Sequence, residues 1–204
     1  SRLPEIAANQ RARRWQQLFS PGIRGKTALI VGLGDLGQGA ARAAKQLGLK
    51  VIGVSRTGKN IRHADAVHKT AALDRLLPGA DYVVMAVPLT PQTRHLLSRG
   101  RMDRMKPSAG VINISRAPVL DNDALADKLR RGELAGAVLD VVEPEPLPPE
   151  SPLWDTPNLI ITPHISCDDG ERYVDLSLDL WFENLERFLK KKPLHSRVDP
   201  RRGY

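Results

Sequence analysis

Short apolar runs alternate with amphipathic segments along most of the chain. The runs predict strands at 26–32, 50–54, 82–87, 110–114, 136–139 and 159–161, with a short additional strand at 66–67. The segments between them carry apolar residues at helical spacing and predict helices at 35–47, 73–77, 98–105 and 121–131. A last, long helix is predicted over about Asp168 to Leu189. This alternation predicts an α/β fold with a doubly wound parallel sheet and helices on both faces.

A glycine-rich loop joins the first predicted strand to the first predicted helix. Its sequence, Gly32-Leu33-Gly34-Asp35-Leu36-Gly37, fits the pattern G-x-G-x-x-G, and the strand-to-helix context strengthens a motif that is weak alone. In such a loop the first glycine turns tightly, the second lets a pyrophosphate approach the backbone, and the third permits close helix packing. Free N–H groups at the helix N-terminus favour the anion. We therefore expect a Rossmann-type dinucleotide site that includes Gly32, Gly34, Asp35, Leu36 and Gly37.

The residues after the second strand predict which dinucleotide is preferred. An NAD site usually has an acidic residue there to hold the ribose hydroxyls, whereas this chain has Ser55-Arg56-Thr57. Arg56 can pair with a 2′-phosphate, and the hydroxyls of Ser55 and Thr57 can donate to it. We therefore expect NADP(H) to be preferred. The alternative, a surface arginine beside an NAD(H) site that tolerates serine, stays open.

Composition and charge exclude several classes of protein. The chain has 204 residues, of which 41% are hydrophobic, so it can bury a core, and its apolar runs are far shorter than the ~20 residues of a membrane span. A single cysteine, Cys167, excludes disulfides and cysteine-based zinc sites within one chain, and we expect no metal. The start resembles no secretory signal, so we expect a cytoplasmic protein. The net charge of +8 comes from clusters near the chain ends without interleaved aromatic residues, so we do not expect nucleic acid binding.

Four further segments place polar residues or prolines directly after predicted strands. They are Val87-Pro88-Leu89-Thr90, Asn113-Ile114-Ser115-Arg116-Ala117, Leu139 to Leu147, and Thr162-Pro163-His164-Ile165-Ser166. Loops at the carboxyl ends of parallel strands line the ligand crevice, so we expect all four to face the same cleft as the glycine loop. An arginine, a glutamate and a histidine would then converge there. Taken singly, each of these residues has an equally ordinary structural interpretation.

Taken together, these motifs resemble the D-isomer-specific 2-hydroxyacid dehydrogenase family, in particular the NAD(P)-binding domain of its glyoxylate and hydroxypyruvate reductases. The match includes the glycine loop, V-P-L-T-P-x-T at Val87 to Thr93, N-I-S-R-A, L-D-V followed by E-P, T-P-H, and the closing Val198 to Tyr204. The resemblance covers nearly the whole chain. It implies NADP(H)-dependent reduction of a small 2-oxoacid to a D-2-hydroxyacid by a homodimer.

The resemblance also assigns roles to individual residues. Arg116 would bind the 2-oxoacid carboxylate and polarise the carbonyl, and His164, paired with Glu145, would be the general acid and base. Asp140 would contact the nicotinamide or support the site. The further implied cofactor contacts are Val87, Pro88, Thr93, Ile114, Ser115, Arg116, His164 and Ser166. These residue types suit the chemistry, because hydride addition to a ketone carbon requires a proton donor for the oxygen and a fixed carboxylate.

The resemblance further implies that the substrate lobe is largely missing. Family members carry a separate lobe built mostly from roughly 100 earlier residues, whereas this chain begins at what resembles the interdomain helix, Leu3 to Leu18. We therefore divide the chain into an interdomain or dimerisation helix at 1–20, a dinucleotide-binding domain at 21–167, and a C-terminal helix and tail at 168–204 that returns toward the missing lobe. We favour a fragment over a naturally shortened protein, and we expect it to be inactive alone.

Two other functions stay open at this stage. The same fold is used by non-enzymatic corepressors in which a bound nucleotide controls oligomerisation, and the three residues with implied catalytic roles do not exclude that function. Nucleic acid binding through the basic chain ends is the weaker alternative, and a steep loss of affinity with salt would identify it. The sequence does not name the 2-oxoacid.

Overall fold

The computed structural model describes residues 2–167 and 169–199. Its strands are β1 (Thr27–Val31), β2 (Lys50–Ser55), β3 (Ala66–Lys69), β4 (Tyr82–Met85), β5 (Gly110–Asn113), β6 (Gly136–Leu139) and β7 (Leu159–Ile161). Its helices are α1 (Leu3–Arg11), α2 (Asp35–Gln46), α3 (Leu73–Leu76), α4 (Arg99–Met102), α5 (Asn122–Arg130) and α6 (Tyr173–Leu189). Residues 200–204, which complete the closing motif named above, lie outside the described residues.

The seven strands form one parallel sheet in the order β3-β2-β1-β4-β5-β6-β7. From β1 the chain first builds outward through β2 and β3, and it then returns to add β4 on the other side of β1. The order therefore reverses between β1 and β4, and such a switch point is where doubly wound sheets bind ligands. The predicted fold class is confirmed.

Alternate residues of β1 enter two separate hydrophobic cores. Leu29 and Val31 belong to the larger core, whereas Ile30 packs in the smaller one with Ala41 of α2 and Val51 of β2. Successive side chains of a strand point to opposite faces of the sheet, so both faces of β1 are covered. This double burial is the reason why β1 is an unbroken apolar run in the sequence.

The predicted bounds of two helices are wrong. The first helix ends at Arg11 and not at Leu18, because Arg13 turns into the left-handed region with a φ of 50°. The last helix begins at Tyr173, while its predicted start, Asp168, lies outside the described residues. The Asp169 carboxylate accepts the N–H groups of Glu171 and Arg172, and such side-chain bonds compete with helix formation.

Three further elements differ from their predicted bounds by two or more residues at one end. The helix predicted at 98–105 is reduced to Arg99–Met102, and the strand predicted at 82–87 ends at Met85. The strand predicted at 66–67 extends to Lys69, because it pairs with β2 through Ser55. Pairing partners, which local periodicity does not reveal, decided the bounds of the two strands.

The chain divides into two compact units, one ending at His164 and the other beginning at Ile165. The first contains α1 to α5 and the whole sheet, and the second contains α6. None of the described residues of α6 is buried, and its large apolar side chains, such as Trp181 and Phe182, are exposed. Among the helices of the described residues, none combines the length and the apolar character that crossing a membrane requires.

Candidate active site

The glycine loop after β1 is packed so tightly that two of its residues must be glycine. Gly32 has a φ of +100°, and a Cβ placed there would lie 2.3 Å from the Ala86 carbonyl oxygen. A Cβ on Gly37 would lie 1.9 Å from the Gly32 carbonyl oxygen. These contacts press the first turn of α2 against the ends of β1 and β4.

The middle glycine of the loop has open space in front of it. Gly34 precedes the first residue of α2, and no atom of the described residues lies within 4 Å of a Cβ built on it. Asp35 and Leu36, which follow in the first turn of α2, are exposed. The N–H groups of a helix start therefore open onto a space that a side chain at residue 34 would fill. These residues fit a dinucleotide pyrophosphate.

Backbone hydrogen bonds join the turns at the carboxyl edge of the sheet into one row. In each of five turns, the first N–H after a strand donates to a carbonyl near the end of the neighbouring strand. The pairs are Gly32 to Val54 (2.8 Å), Ala86 to Val31 (2.8 Å), Ile114 to Met85 (3.2 Å), Asp140 to Asn113 (3.0 Å) and Thr162 to Leu139 (2.9 Å). The turns that follow β1, β4, β5, β6 and β7 therefore lie side by side.

The turn after β2 is closed by side-chain hydrogen bonds. The Ser55 hydroxyl oxygen accepts the Gly58 N–H at 3.0 Å, and the Thr57 hydroxyl oxygen accepts the Lys59 N–H at 3.3 Å. Arg56 lies between these two residues and is exposed. Because each hydroxyl oxygen acts as an acceptor, its own O–H group is not used in these bonds and can serve as a donor.

The segment after β4 is a compact turn organised by Thr93. Its hydroxyl accepts the Thr90 N–H at 2.7 Å and donates to the Pro88 carbonyl at 2.7 Å. Val87 is partly buried and borders the glycine loop, since its Cγ1 would lie 2.9 Å from a Cβ on Gly32. The structure thus brings Val87 and the glycine loop together at the switch point of the sheet.

Arg116 projects from the turn that follows β5. It is exposed, although its neighbours Ser115 and Ala117 are buried, and Ile114 is partly buried. The guanidinium Nη1 donates to the Ser115 carbonyl at 2.7 Å. A guanidinium has five N–H donors, so this single bond leaves donors for a carboxylate.

Glu145 and His164 form a hydrogen-bonded pair although 19 residues separate them. Glu145 Oε2 lies 2.9 Å from His164 Nδ1, and Glu145 Oε1 accepts the Val142 N–H at 3.1 Å. His164 adopts a left-handed φ of 57°, which is uncommon for a residue with a side chain. Its own N–H donates to the Thr162 carbonyl at 3.0 Å and helps to hold this conformation.

The charge of Arg116 also acts on this pair. The hydrogen bond from His164 lowers the pKa of Glu145 most, followed by the Val142 N–H, and the charge of Arg116 lowers this pKa further. Glu145 is therefore a carboxylate at neutral pH and can only accept, so Nδ1 of His164 carries the shared hydrogen. The predicted glutamate and histidine are therefore in contact, and the charge of the predicted arginine acts on the glutamate.

Two polar residues beside this cluster, Thr162 and Asn113, were named in the motifs but given no role. Asp140 is 2% exposed, and the Thr162 hydroxyl donates to its Oδ1 at 2.6 Å. Thr162 therefore links the turn after β6 to the turn that carries His164. The second such residue is the fully buried Asn113. The available signal was a polar residue at the end of an apolar strand, which is common next to sites at this edge of a sheet.

Ser166 is the one predicted cofactor contact that belongs to the second unit, and its assignment stays a prediction. Among the described residues, no group of three or more His, Cys, Asp and Glu side chains is arranged to hold a metal ion.

The fold and the glycine loop together define a dinucleotide-binding domain of the Rossmann type. Comparison with known proteins agrees, because the sequence profile described as "D-isomer specific 2-hydroxyacid dehydrogenase, NAD binding domain" matches residues 1–166. The chain belongs to the D-isomer-specific 2-hydroxyacid dehydrogenase family.

Several similar proteins are named as dehydrogenases or reductases of that family. This chain is 41% identical to a glyoxylate reductase of Thermococcus onnurineus over 153 residues. The aligned region covers 74% of this chain and 46% of the relative. A Xanthobacter autotrophicus D-isomer specific 2-hydroxyacid dehydrogenase in complex with NADPH and MES superposes with a TM-score of 0.87 and 38% identity, covering 99% of this chain and 82% of the other.

A third comparison is an NADPH-dependent glyoxylate/hydroxypyruvate reductase of Sinorhizobium meliloti, solved in complex with NADP and sulfate. It is 33% identical, with a TM-score of 0.87, over 100% of this chain and 65% of the other. The chain spans about half the length of the curated relatives it matches.

Proposed function

We propose that the chain is the cofactor-binding portion of an NADP(H)-dependent reductase that converts a small 2-oxoacid, of the glyoxylate or hydroxypyruvate type, to a D-2-hydroxyacid. The observation that carries the proposal is the contact of His164 with Glu145 beside Arg116, on the sheet edge that also holds the glycine loop. Relatives named as glyoxylate reductases support this substrate class and favour an enzyme over a corepressor-like sensor.

In this proposal Arg116 orients the substrate. Its guanidinium pairs with the 2-oxoacid carboxylate through two parallel hydrogen bonds, which fix both position and direction. The same positive charge lies next to the carbonyl oxygen, where negative charge develops during reduction, and stabilises it. A lysine at this position would lose the paired geometry.

His164 supplies the proton. Its Nδ1–H is held by the Glu145 carboxylate, so the proton that is transferred to the carbonyl oxygen comes from Nε2. The nicotinamide group supplies the hydride for the carbonyl carbon when the cofactor is bound. The charge of Glu145 stabilises the protonated imidazole before transfer, and the electron pair of the carbonyl bond ends in the new hydroxyl group.

We assign the cofactor to the row of turns along the sheet edge. Gly32, Gly34 and Gly37, with the start of α2, would hold the pyrophosphate, and the turns that carry Val87, Ile114 and Asp140 would line the nicotinamide end. Ser55, Arg56 and Thr57 would hold a 2′-phosphate, which is the basis for proposing that NADP(H) is preferred over NAD(H). The complexes of two relatives with NADPH and with NADP support this assignment.

The function is tested by following NADPH oxidation with glyoxylate or hydroxypyruvate. We expect activity from the protein that includes its substrate lobe, little or none from the 204 residues alone, and a loss of about 10²-fold or more in kcat in the His164→Ala variant. NADPH affinity should stay unchanged in this variant. Tight NADPH binding without reduction of any small 2-oxoacid by the whole protein would refute the enzymatic proposal.

The cofactor preference is tested by titrating NADPH and NADH separately. Because Arg56 is proposed to contact only the 2′-phosphate, the Arg56→Ala variant should bind NADPH about tenfold more weakly and NADH equally well. Arg104→Ala is the matched control, since it removes the same charge at an exposed site on another part of the chain. Equal affinities for the two cofactors in the unmodified protein would contradict the preference.

A further inference from the structure

Asn113 is a fully buried polar side chain at the end of β5. It is 0% exposed, and it precedes Arg116 by three residues. Both the oxygen and the nitrogen of its carboxamide form hydrogen bonds within the turn that follows β5. The oxygen Oδ1 accepts the Ser115 N–H at 3.0 Å and the Ser115 hydroxyl at 2.7 Å, and the nitrogen Nδ2 donates to the Arg116 carbonyl at 3.1 Å.

The two backbone groups that Asn113 binds lie on either side of the peptide bond between Ser115 and Arg116. The bonded N–H belongs to the peptide before the Ser115–Arg116 bond, and the bonded carbonyl belongs to the peptide after it. The Arg116 guanidinium donates to the carbonyl between them, that of Ser115, at 2.7 Å. One buried side chain therefore fixes the peptides on either side of the carbonyl that the guanidinium contacts.

The main chain of Asn113 is held as firmly as its side chain. It pairs with Met85 in the register of β4, and its carbonyl accepts the Asp140 N–H at 3.0 Å. The side-chain hydrogen bonds of Asn113 therefore start from a residue whose backbone is fixed in the sheet. Burial makes such bonds stronger and makes their loss more costly.

We infer that Asn113 is a positioning residue, which orients the Arg116 guanidinium for the carboxylate of the substrate. This inference rests on the proposed function of Arg116. It requires a side chain with an acceptor and a donor at the same short distance from Cα, which asparagine supplies without a charge, whereas the amide of glutamine lies one methylene further out. An aspartate would face the Arg116 carbonyl with a second acceptor, and a leucine of similar size would leave three backbone or hydroxyl groups unpaired.

The experiment observes the Arg116 guanidinium by NMR. The ¹H–¹⁵N signal of Arg116 Nε, assigned with the Arg116→Lys variant, is recorded in the NADP⁺ complex of the whole protein while oxamate, a 2-oxoacid analogue, is titrated. We expect a narrow signal that shifts as oxamate binds. In the Asn113→Leu and Asn113→Asp variants the signal should broaden or average, and oxamate should bind about tenfold more weakly, while NADP⁺ affinity is retained.

The matched control is Asn122→Asp, which makes the same chemical change in a neighbouring amide that donates to the Ala117 carbonyl at 3.0 Å. It should leave both the signal and oxamate affinity unchanged. The Asn113→Asp variant keeps one oxygen acceptor for Ser115 and serves as the test if the leucine variant does not fold. The inference is overturned if a folded Asn113 variant keeps the Arg116 signal and the oxamate affinity, or if Asn122→Asp disturbs them equally.

The proposed function and the positioning inference fail in different ways. If the whole protein does not bind oxamate, but its Arg116 signal still depends on Asn113, the carboxylate role of Arg116 is wrong and the positioning of its side chain stands. If oxamate binds and the Asn113 variants change nothing, the function stands and the positioning inference is wrong.

Discussion

At the scale of single residues, the site depends on the backbone of His164 as much as on its side chain. A left-handed φ at a residue other than glycine costs roughly 1 kcal/mol, so surrounding contacts must hold it. Here the Thr162 carbonyl and the Glu145 carboxylate bind the two ends of the residue. The strained conformation directs Nδ1 toward Glu145.

Replacing Glu145 by glutamine tests the charge of this pair. The lowered pKa of Glu145 keeps the carboxylate ionised through the neutral range, so its effect is present above the ordinary value of 4.5 and is lost as the pH falls through the lowered one. In Glu145→Gln the protonated imidazole loses a stabilising charge. We expect kcat for reduction to fall about tenfold, with the loss extending across the alkaline side of its pH profile.

Glu143→Gln is the control for this profile, since it removes an equal charge from an exposed residue of the same loop. Its pH profile should match that of the unmodified enzyme. An unchanged alkaline limb in Glu145→Gln would show that the carboxylate only orients the ring and contributes no charge effect.

At the scale of elements, two glycines of α2 allow the effect of packing on stability to be measured apart from the effect of helix propensity. Gly37 is buried against the Gly32 carbonyl, whereas a Cβ on Gly39, two residues along the same helix, meets no atom of the described residues within 4 Å. The same substitution at these two positions should therefore have opposite effects.

We expect Gly37→Ala to lower the free energy of unfolding by about 2 kcal/mol or more through overpacking, and to abolish NADPH binding by displacing the loop. Gly39→Ala should raise that free energy by up to ~1 kcal/mol, because alanine favours a helix more than glycine does. Thermal unfolding and NADPH titration of both variants provide the measurement. Similar changes in the two variants would contradict the packing described for the loop.

Most strands and helices were predictable from the sequence, whereas the exact ends of several were not. β6 and β7 match their predicted bounds, since an apolar strand is defined by its own pattern. The first helix, expected from the family resemblance, and the last helix, expected from helical spacing, were both predicted too long. The left-handed Arg13 and the side-chain bonds of Asp169 are local events that periodicity does not register.

At the scale of the whole molecule, the apolar surface of α6 has a consequence for assembly. Trp181, Phe182 and Phe188 are each more than half exposed. Several large apolar side chains exposed on one helix are typical of an interface. We propose that the protein forms a homodimer, as the family resemblance implies, and that it acts in the cytoplasm.

Light scattering coupled to size-exclusion chromatography tests the assembly. At micromolar concentration we expect a mass of twice the 22.5 kDa of the chain, and a return toward the single-chain mass on dilution. A single-chain mass at every concentration would contradict the homodimer.

The sequence by itself determined the α/β class, the order of the strands along the chain, and the glycine loop, because local sterics and two-sided burial leave a direct pattern in the residues. Its motifs also indicated the family, which the comparisons confirmed. Only the tertiary structure showed the hydrogen bond between Glu145 and His164, which are 19 positions apart, and the hydrogen bonds from Asn113 to the turn that carries Arg116. The physical reason is that these contacts depend on which strands are neighbours and in what register, and long-range packing sets both.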